Sequence, residues 1–381
     1  MLTLRTHQAI DSIDAAAWDA LAADDNPFVS HAFLAALEQS GCIRDAFGWR
    51  AQHLTLHDGE TLVGAVPLYV KRNSHGEYVF DWAWADAWER AGGDYYPKFL
   101  CAVPYSPVTG PRLLAGDGAE AATRRATLAR GLRELTEQAG FSSAHVDFLR
   151  EDDAAAFDDA WLARTDWQFQ WSNRDGWRDF ADYLAALTHK RRAAIRHERA
   201  QVANAGIECE FRDGGTLDDD DWRTLHHLYT HTFDEKGNTP TLTLAFFRRL
   251  GAAFPTRVHA AFARRGATTI AGALFLSSRD VLYGRYWGAR EPVPGLHFEL
   301  CYYQGIEACL RRGWHRFEPG AQGLHKLARG FLPVRTHSRH YIADARFRAA
   351  IRTTLEHEAA ALEARGEELR AHSPFARRDA P

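Results

Sequence analysis

The apolar and polar positions of this chain fall into two periods, and one stretch of the pattern occurs twice. Leu62-Val63-Gly64-Ala65-Val66-Pro67-Leu68-Tyr69 echoes Ile270-Ala271-Gly272-Ala273-Leu274-Phe275-Leu276-Ser277, with Gly-Ala and a leucine at matching positions. Each copy follows an apolar run and a polar turn, Asp58-Gly59-Glu60 or Arg264-Arg265-Gly266-Ala267, and precedes an aromatic segment, Tyr78 to Trp82 or Val281 to Trp287. The pattern predicts strand, turn, strand, turn, strand and then a helix opening near Trp84 or near His297. Helical spacing covers 14–21, 31–40 behind a Ser30 cap, and 119–139 up to a stop at Gly140. A strand at 144–149 and an acidic helix at 152–164 close the first half. The second half opens with a basic helix at 180–205, stopped by Gly206, followed by a strand at 207–212 and helices at 220–233, 242–254, 301–312 and 345–370. The tail 373–381 reads as disordered. The expected class is α/β (α+β), a tandem duplication of mixed twisted sheets flanked by helices, divided as 1–168, 169–344, and 345–381 for the last helix and tail.

Composition narrows this little. The chain has 381 residues, 46% of them apolar, enough for a core in each of two domains. A net charge of -4 gives no global field for DNA or an anionic membrane, so a polyanion could be met only by a local patch. The five cysteines are scattered without CxxC spacing, which argues against disulfides or a zinc ribbon and for a reducing, cytoplasmic setting. No basic leader precedes an apolar run, and no run approaches the roughly 18 residues of a membrane span, so no integral membrane contact is expected.

Chemistry-bearing residues gather in four places. The tract from His75 to Asp86, with Glu77, Asp81 and Trp82, and the nearby Tyr95, Tyr96 and Lys98 put charged groups among aromatic rings, as a pocket wall for a cation does. The loop Gly288–Gly295 delivers the chain into a helix carrying His297, Glu299, Tyr302 and Tyr303. Its backbone N–H groups suit an oxyanion or pyrophosphate, though they equally suit a capped connection. Glu299, screened by Phe298, Tyr302 and Tyr303, is the candidate general base with His297 beside it; the same position also suits an acid at a helix amino end. Glu318, Gln322, His325, Lys326 and Arg329 lie in and after a glycine-rich turn fit for a phosphate or carboxylate. In the run from His189 to Arg199, Arg192, Arg196 and Arg199 form a basic ridge, with Lys190 at its start, that reads as a phosphate or RNA contact, or as a solvated helix face. His297 and Glu299 lack the PCxxC of zinc deaminases, and His227 and His231 lack HExxH, so no metal is expected.

On these residues the chain resembles the bacterial predicted N-acyltransferases related to the Fem-type aminoacyl transferases of peptidoglycan synthesis, within the GNAT superfamily. The motifs are Ser74 to Trp82, Tyr95-Tyr96-Pro97-Lys98, Pro107 to Arg112, Lys190 to Arg199, Leu296 to Glu299 and Glu318 to Gly323. Leu324 departs from the family pattern, which is acidic there. The resemblance implies two tandem GNAT-like domains and transfer of an acyl or aminoacyl group from acyl-CoA or aminoacyl-tRNA to an amine acceptor, a small molecule, glycan or peptide. Glu299 and His297 would be catalytic. His75, Glu77, Asp81, Trp82, Asp86, Tyr95, Tyr96, Lys98, Tyr302, Tyr303, Glu318 and Gln322 would hold the acceptor; Lys190, Arg192, Arg196, His325, Lys326 and Arg329 would hold the donor, tRNA included. The alternative is a non-catalytic module that binds an amine-bearing or glycan-like ligand.

Overall fold

The computed structural model describes residues 1–22, 24–321 and 323–376. In chain order its elements are β1 (Leu2–His7), α1 (Ala15–Ala20), α2 (His31–Gln39), β2 (Trp49–Ala51), β3 (His53–Asp58), β4 (Thr61–Val66), β5 (Leu68–Lys71), α3 (Trp82–Arg90), β6 (Lys98–Cys101), α4 (Ala121–Gln138), β7 (Ser143–Leu149) and β8 (Leu162–Ser172). There follow α5 (Phe180–Ala186), α6 (His189–Asn204), β9 (Glu208–Asp213), α7 (Asp219–Glu235), α8 (Leu244–Ala253), β10 (Val258–Arg265), β11 (Thr268–Ser277), β12 (Val281–Ala289), α9 (Leu296–Phe298), α10 (Gln304–Arg312), β13 (Arg316–Glu318), β14 (Leu332–Ile342) and α11 (Ala345–Ala371). Two compact units result: Met1–Trp167 with Arg335–Arg365, and Gln168–Val334 with the residues from Gly366 onward.

In the first unit β1, β3 and β4 form an antiparallel sheet, while β2, β5, β6, β7 and β14 pair in that order. Only β6 and β7 are parallel, because α4 carries the chain back between them. Leu128, Ala129 and Leu132, spaced along one face of α4, bury against Leu56, Val66, Phe99 and Val146. Strand β7 alternates: Ala144 and Val146 enter this core, and Ser143, His145 and Asp147, also buried, occupy the opposite face.

In the second unit the order is β8, β13, β12, β11, β10, β9, with β12 and β13 parallel and α10 between them. That pairing is confined to Val281–Tyr283 against Arg316–Glu318. From Gly284 to Ala289, β12 is paired only with β11, so its other edge is open among the described residues. The echoed glycines do the same work in both units. A Cβ on Gly64 would lie 3.1 Å from Leu128 Cδ1, and one on Gly272 would lie 2.9 Å from Leu225 Cδ2, so each lets a helix approach the sheet closely.

Five expectations need correction. Tyr78 to Trp82 is not a strand: Tyr78 has φ +69°, and Glu77 and Asp81 turn inward while Phe80 stays exposed, so β6 is the third strand of that unit. The acidic stretch gives only a 3-10 turn at Glu151–Ala156 and then β8, because Trp161 is drawn into the core. The basic helix breaks at Leu187, which is extended and bridged to Phe375, while Thr188 N–H donates to the Pro374 carbonyl. For the same reason the tail is ordered as far as Ala376: Phe375 is buried and stacks on Trp177 at 5.6 Å. Residues 377–381 lie outside the described residues. The expected division at 344 also shifts, since Ile351 and Leu355 of α11 pack with Ile342, Trp84, Tyr95 and Leu162 in the first unit.

Candidate active site

The carboxylates of the first unit are already occupied by a lysine of the same unit. Lys98 Nζ, fully buried at the start of β6, donates to Asp81, to Glu77 Oε2 at 2.8 Å and to Ser74 Oγ at 2.9 Å. Ser74 Oγ and Tyr95 Oη donate to Asp81 at 2.5 and 2.7 Å, and Tyr96 Oη shares a 2.8 Å bond with Ser74. Burial alone would lower the Lys98 pKa, but Glu77 and Asp81 outweigh it and hold it above the usual lysine range. Burial likewise works to raise Asp81, and Lys98 and His145 outweigh it and hold it low. Glu77 rises to about 7, because desolvation exceeds the pull of Lys98. Lys71, buried 3.8 Å from Glu77 and 3.7 Å above the Trp49 ring, falls to about 7, also by desolvation. His145 and His340 face each other at 2.7 Å behind this cluster, and burial holds both in the neutral form.

In the second unit the open edge of β12 borders a cavity of about 590 Å³ lined by Trp287, Ala289, Thr232, Lys236, Pro292 and His297, among others. The loop before α9 is fixed at Gly295: its φ is +80°, and a Cβ there would strike the Glu198 carbonyl of α6 at 2.6 Å. Only glycine meets both demands. Burial pushes His297 down to about 4, aided by His325, Lys326, Arg329 and Lys236, so its imidazole is neutral at physiological pH. Trp287 and Tyr302 stand edge-on to it at 5.2 and 5.4 Å, and Tyr302 Oη bonds His325 Nε2 at 2.8 Å.

Glu299 points elsewhere. Its carboxylate accepts from Arg199 Nε at 3.0 Å, Arg199 Nη2 at 3.1 Å and Gln304 Nε2 at 2.9 Å, and it borders a different cavity from the one His297 lines. The pairing of Glu299 with His297 in one proton-transfer site is thus corrected. The cause is helix geometry: residues two apart on a helix point to different faces, and Glu299 takes the face toward Arg199 of α6.

Sequence residues 9–377 match the family described as peptidoglycan biosynthesis/recognition, FemAB-like. The chain belongs to the FemAB-like family. Among curated proteins none matches it. Two solved structures share the fold of this FemAB-like chain. The crystal structure of FemX is 11% identical, covering 91% of this chain and 100% of its own, with a TM-score of 0.50. The C-terminal domain of a putative lysylphosphatidylglycerol synthetase from Agrobacterium fabrum is 10% identical, covering 91% and 97%, with a TM-score of 0.53. The expected α/β class, mixed sheets flanked by helices in two units, holds.

Other candidates divide between internal and exposed roles. Arg329 pairs with Glu198, bonds Tyr303 Oη at 3.0 Å and stacks 3.3 Å over Phe298, while Tyr303 itself donates to Glu198. Lys326 is buried against the Gly320 and Ala321 carbonyls at 2.7 and 3.1 Å, and desolvation lowers it to about 8. Neither presents a free cation to a phosphate. Glu318 is buried 3.2 Å from Arg316. His75 and Trp82 are exposed and edge-on at 4.9 Å, and Asp86 pairs with Arg90 at the surface. Lys190 and Arg196 are exposed and Arg192 half-buried, with no carboxylate within 4 Å of any of them among the described residues. Gln322 lies outside the described residues. Among those residues no His, Cys, Asp and Glu group could hold a metal, and no helix is long and apolar enough to cross a membrane.

Sequence reasoning overlooked Lys71, His145, Asp147 and His340, and it read Arg199 as part of a basic ridge, whereas Arg199 pairs with Glu299 and Glu307. The polar period of two in Ser143-Ala144-His145-Val146-Asp147, inside a strand buried throughout, was the available signal for a polar inner face. Lys71, alone at the end of an apolar strand, carried no such signal.

Proposed function

We propose that this FemAB-like protein is an N-acyltransferase that moves an acyl or aminoacyl group from an activated donor to an amine by direct attack in the second unit. The observation that carries the reading is the open edge of β12 beside the neutral, half-buried His297. The backbone N–H groups from Trp287 to Ala289 on that edge are candidate donors for the oxyanion of a tetrahedral intermediate. The amine nitrogen forms a bond to the carbonyl carbon, the donor's C–O or C–S bond breaks, and His297 takes the proton released by the amine while the leaving oxygen or sulfur departs. Burial first, and then the neighbouring His325, Lys326, Arg329 and Lys236, keeps the His297 pKa low, so an anionic donor group placed beside Lys236 at the same cavity would raise it. Lys190 and Arg196, both exposed, with the half-buried Arg192, favour a polyanionic donor such as aminoacyl-tRNA over acyl-CoA. The family description supports an acceptor related to peptidoglycan.

The test supplies labelled aminoacyl-tRNA or acyl-CoA with peptidoglycan-type amines. His297→Ala is expected to lower transfer roughly 10²- to 10⁴-fold while donor binding stays within a few-fold. An unchanged rate would remove His297 from the chemistry. Tight acceptor binding without transfer from either donor would favour the non-catalytic binding module.

A further inference from the structure

His297 is held by rings and not by hydrogen bonds. Trp287 of β12, Phe298 of α9, Tyr302 one turn on, and His325 of the 3-10 turn Leu324–Arg329 surround its imidazole, with centroids at 5.2, 5.4, 5.4 and 6.1 Å. All four stand steeply to it, at 68° to 83°. Neither ring nitrogen of His297 has a hydrogen-bond partner among the described residues, so packing alone orients this base. Of the surrounding rings Tyr302 is itself anchored: burial keeps its hydroxyl protonated, and it donates to Nε2 of the neutral His325 at 2.8 Å. His325 in turn folds back over Gly323, where φ is +115° and a Cβ would meet its Cε1 at 2.6 Å. Only glycine leaves the ring that room.

His325 is exposed, and burial of part of its ring, followed by Lys326 and Arg329, lowers its pKa, so it takes up a proton only in acid. Protonation exchanges donor and acceptor in the bond to Tyr302 and puts a positive charge beside the base. After burial, His325 is the largest cause of the low His297 pKa. The other charged groups that face His297 are Lys326 and Arg329 of the same turn and Lys236 of α7, side chains that keep their charge in mild acid. Glu235 and Glu291 line the cavity but pair with His231 and Arg265. We infer that His325 is a positioning residue for the transfer reaction: through Tyr302 it holds the His297 imidazole in place, and by staying uncharged it lets His297 accept the proton of the amine. The inference rests on the transfer reading of this same site.

The experiment is an NMR pH titration of the full chain carrying labelled histidine, with the His297 signal assigned by its absence from His297→Ala. His325→Gln, which removes the charge and keeps a polar partner for Tyr302, should raise the His297 midpoint by roughly half a pH unit. An unmoved midpoint would overturn the proposal, whether or not transfer is observed. In the transfer assay His325→Ala and Tyr302→Phe should each lower kcat roughly tenfold, with the donor KM within about twofold. His325→Gln should recover most of what His325→Ala loses. Should Tyr302→Phe melt early, the two His325 variants, at an exposed position, carry the comparison alone. Equal losses in His325→Gln and His325→Ala, or a loss confined to KM, would also overturn the positioning role while leaving His297 as the base. A parent that transfers nothing, with the midpoint moving as expected, would strike the transfer reading and leave the coupling of His325 to His297 standing.

Discussion

The two units handle buried charge in opposite ways. In the first, Lys98 fills the place between Glu77 and Asp81 that a substrate cation would otherwise take, and Ser74, Tyr95 and Tyr96 complete the network. In the second, the half-buried ionisable group at the loop cavity, His297, is neutral, and from Trp287 to Ala289 β12 beside it has a strand partner on one edge only among the described residues. A closed network holds a fold together; an open edge beside a neutral base can meet a substrate. The clustering of charged and aromatic residues, dense in both units, does not separate these cases. What separates them is whether the chain supplies its own counter-ion.

The sharpest way to break this contrast is Lys98→Met. It would leave two carboxylates buried without their cation and is expected to cost about 3–5 kcal/mol by chemical denaturation. A loss below about 1 kcal/mol would mean the cluster is wetter and more open than described, and the first unit would regain its claim to a ligand. A milder probe is pH. Because the folded-state pKa of Glu77 is raised to about 7, its contribution to stability is fully present below the unfolded value of about 4.3 and is lost as pH rises through about 7. Denaturation midpoints of the parent relative to Glu77→Gln should therefore fall across that window. Parallel curves would show that Glu77 titrates as a solvated acid. The smallest effect belongs to the second unit: Arg196→Ala should weaken a tRNA donor only a few-fold, while lowering the slope of log affinity against log salt by roughly one unit. An unchanged slope would take α6 out of the donor contact.

Much of the architecture was legible because local pattern and final environment agree. The spacing of Leu128 and Leu132 marked α4, Gly140 marked its end with φ +66°, and the Gly-Ala echo located β4 and β11 at corresponding places. Failures came where a distant partner decided the outcome. Glu77 and Asp81 lie 21 and 17 residues before Lys98, and that ion pair, rather than the alternating aromatics, shapes the segment and leaves Phe80 and Trp82 outside. Leu187 is helical by propensity but extended because Phe375, near the far end of the chain, pairs with it. The same holds at the site. His297 and Glu299 were recognisable as chemistry, and their spacing of two on a helix already sets them on different faces, but Arg199, 100 residues before Glu299, is a partner that local spacing does not announce.

The most direct measurement is a crystal structure of the protein soaked with a non-hydrolysable analogue of an aminoacyl- or acyl-donor. The account predicts the analogue's carbonyl oxygen within hydrogen-bond distance of a backbone N–H between Gly284 and Ala289 of β12, with His297 facing the reacting carbon. Density for the carbonyl group in the first unit against Lys98, with the edge of β12 empty, would contradict it.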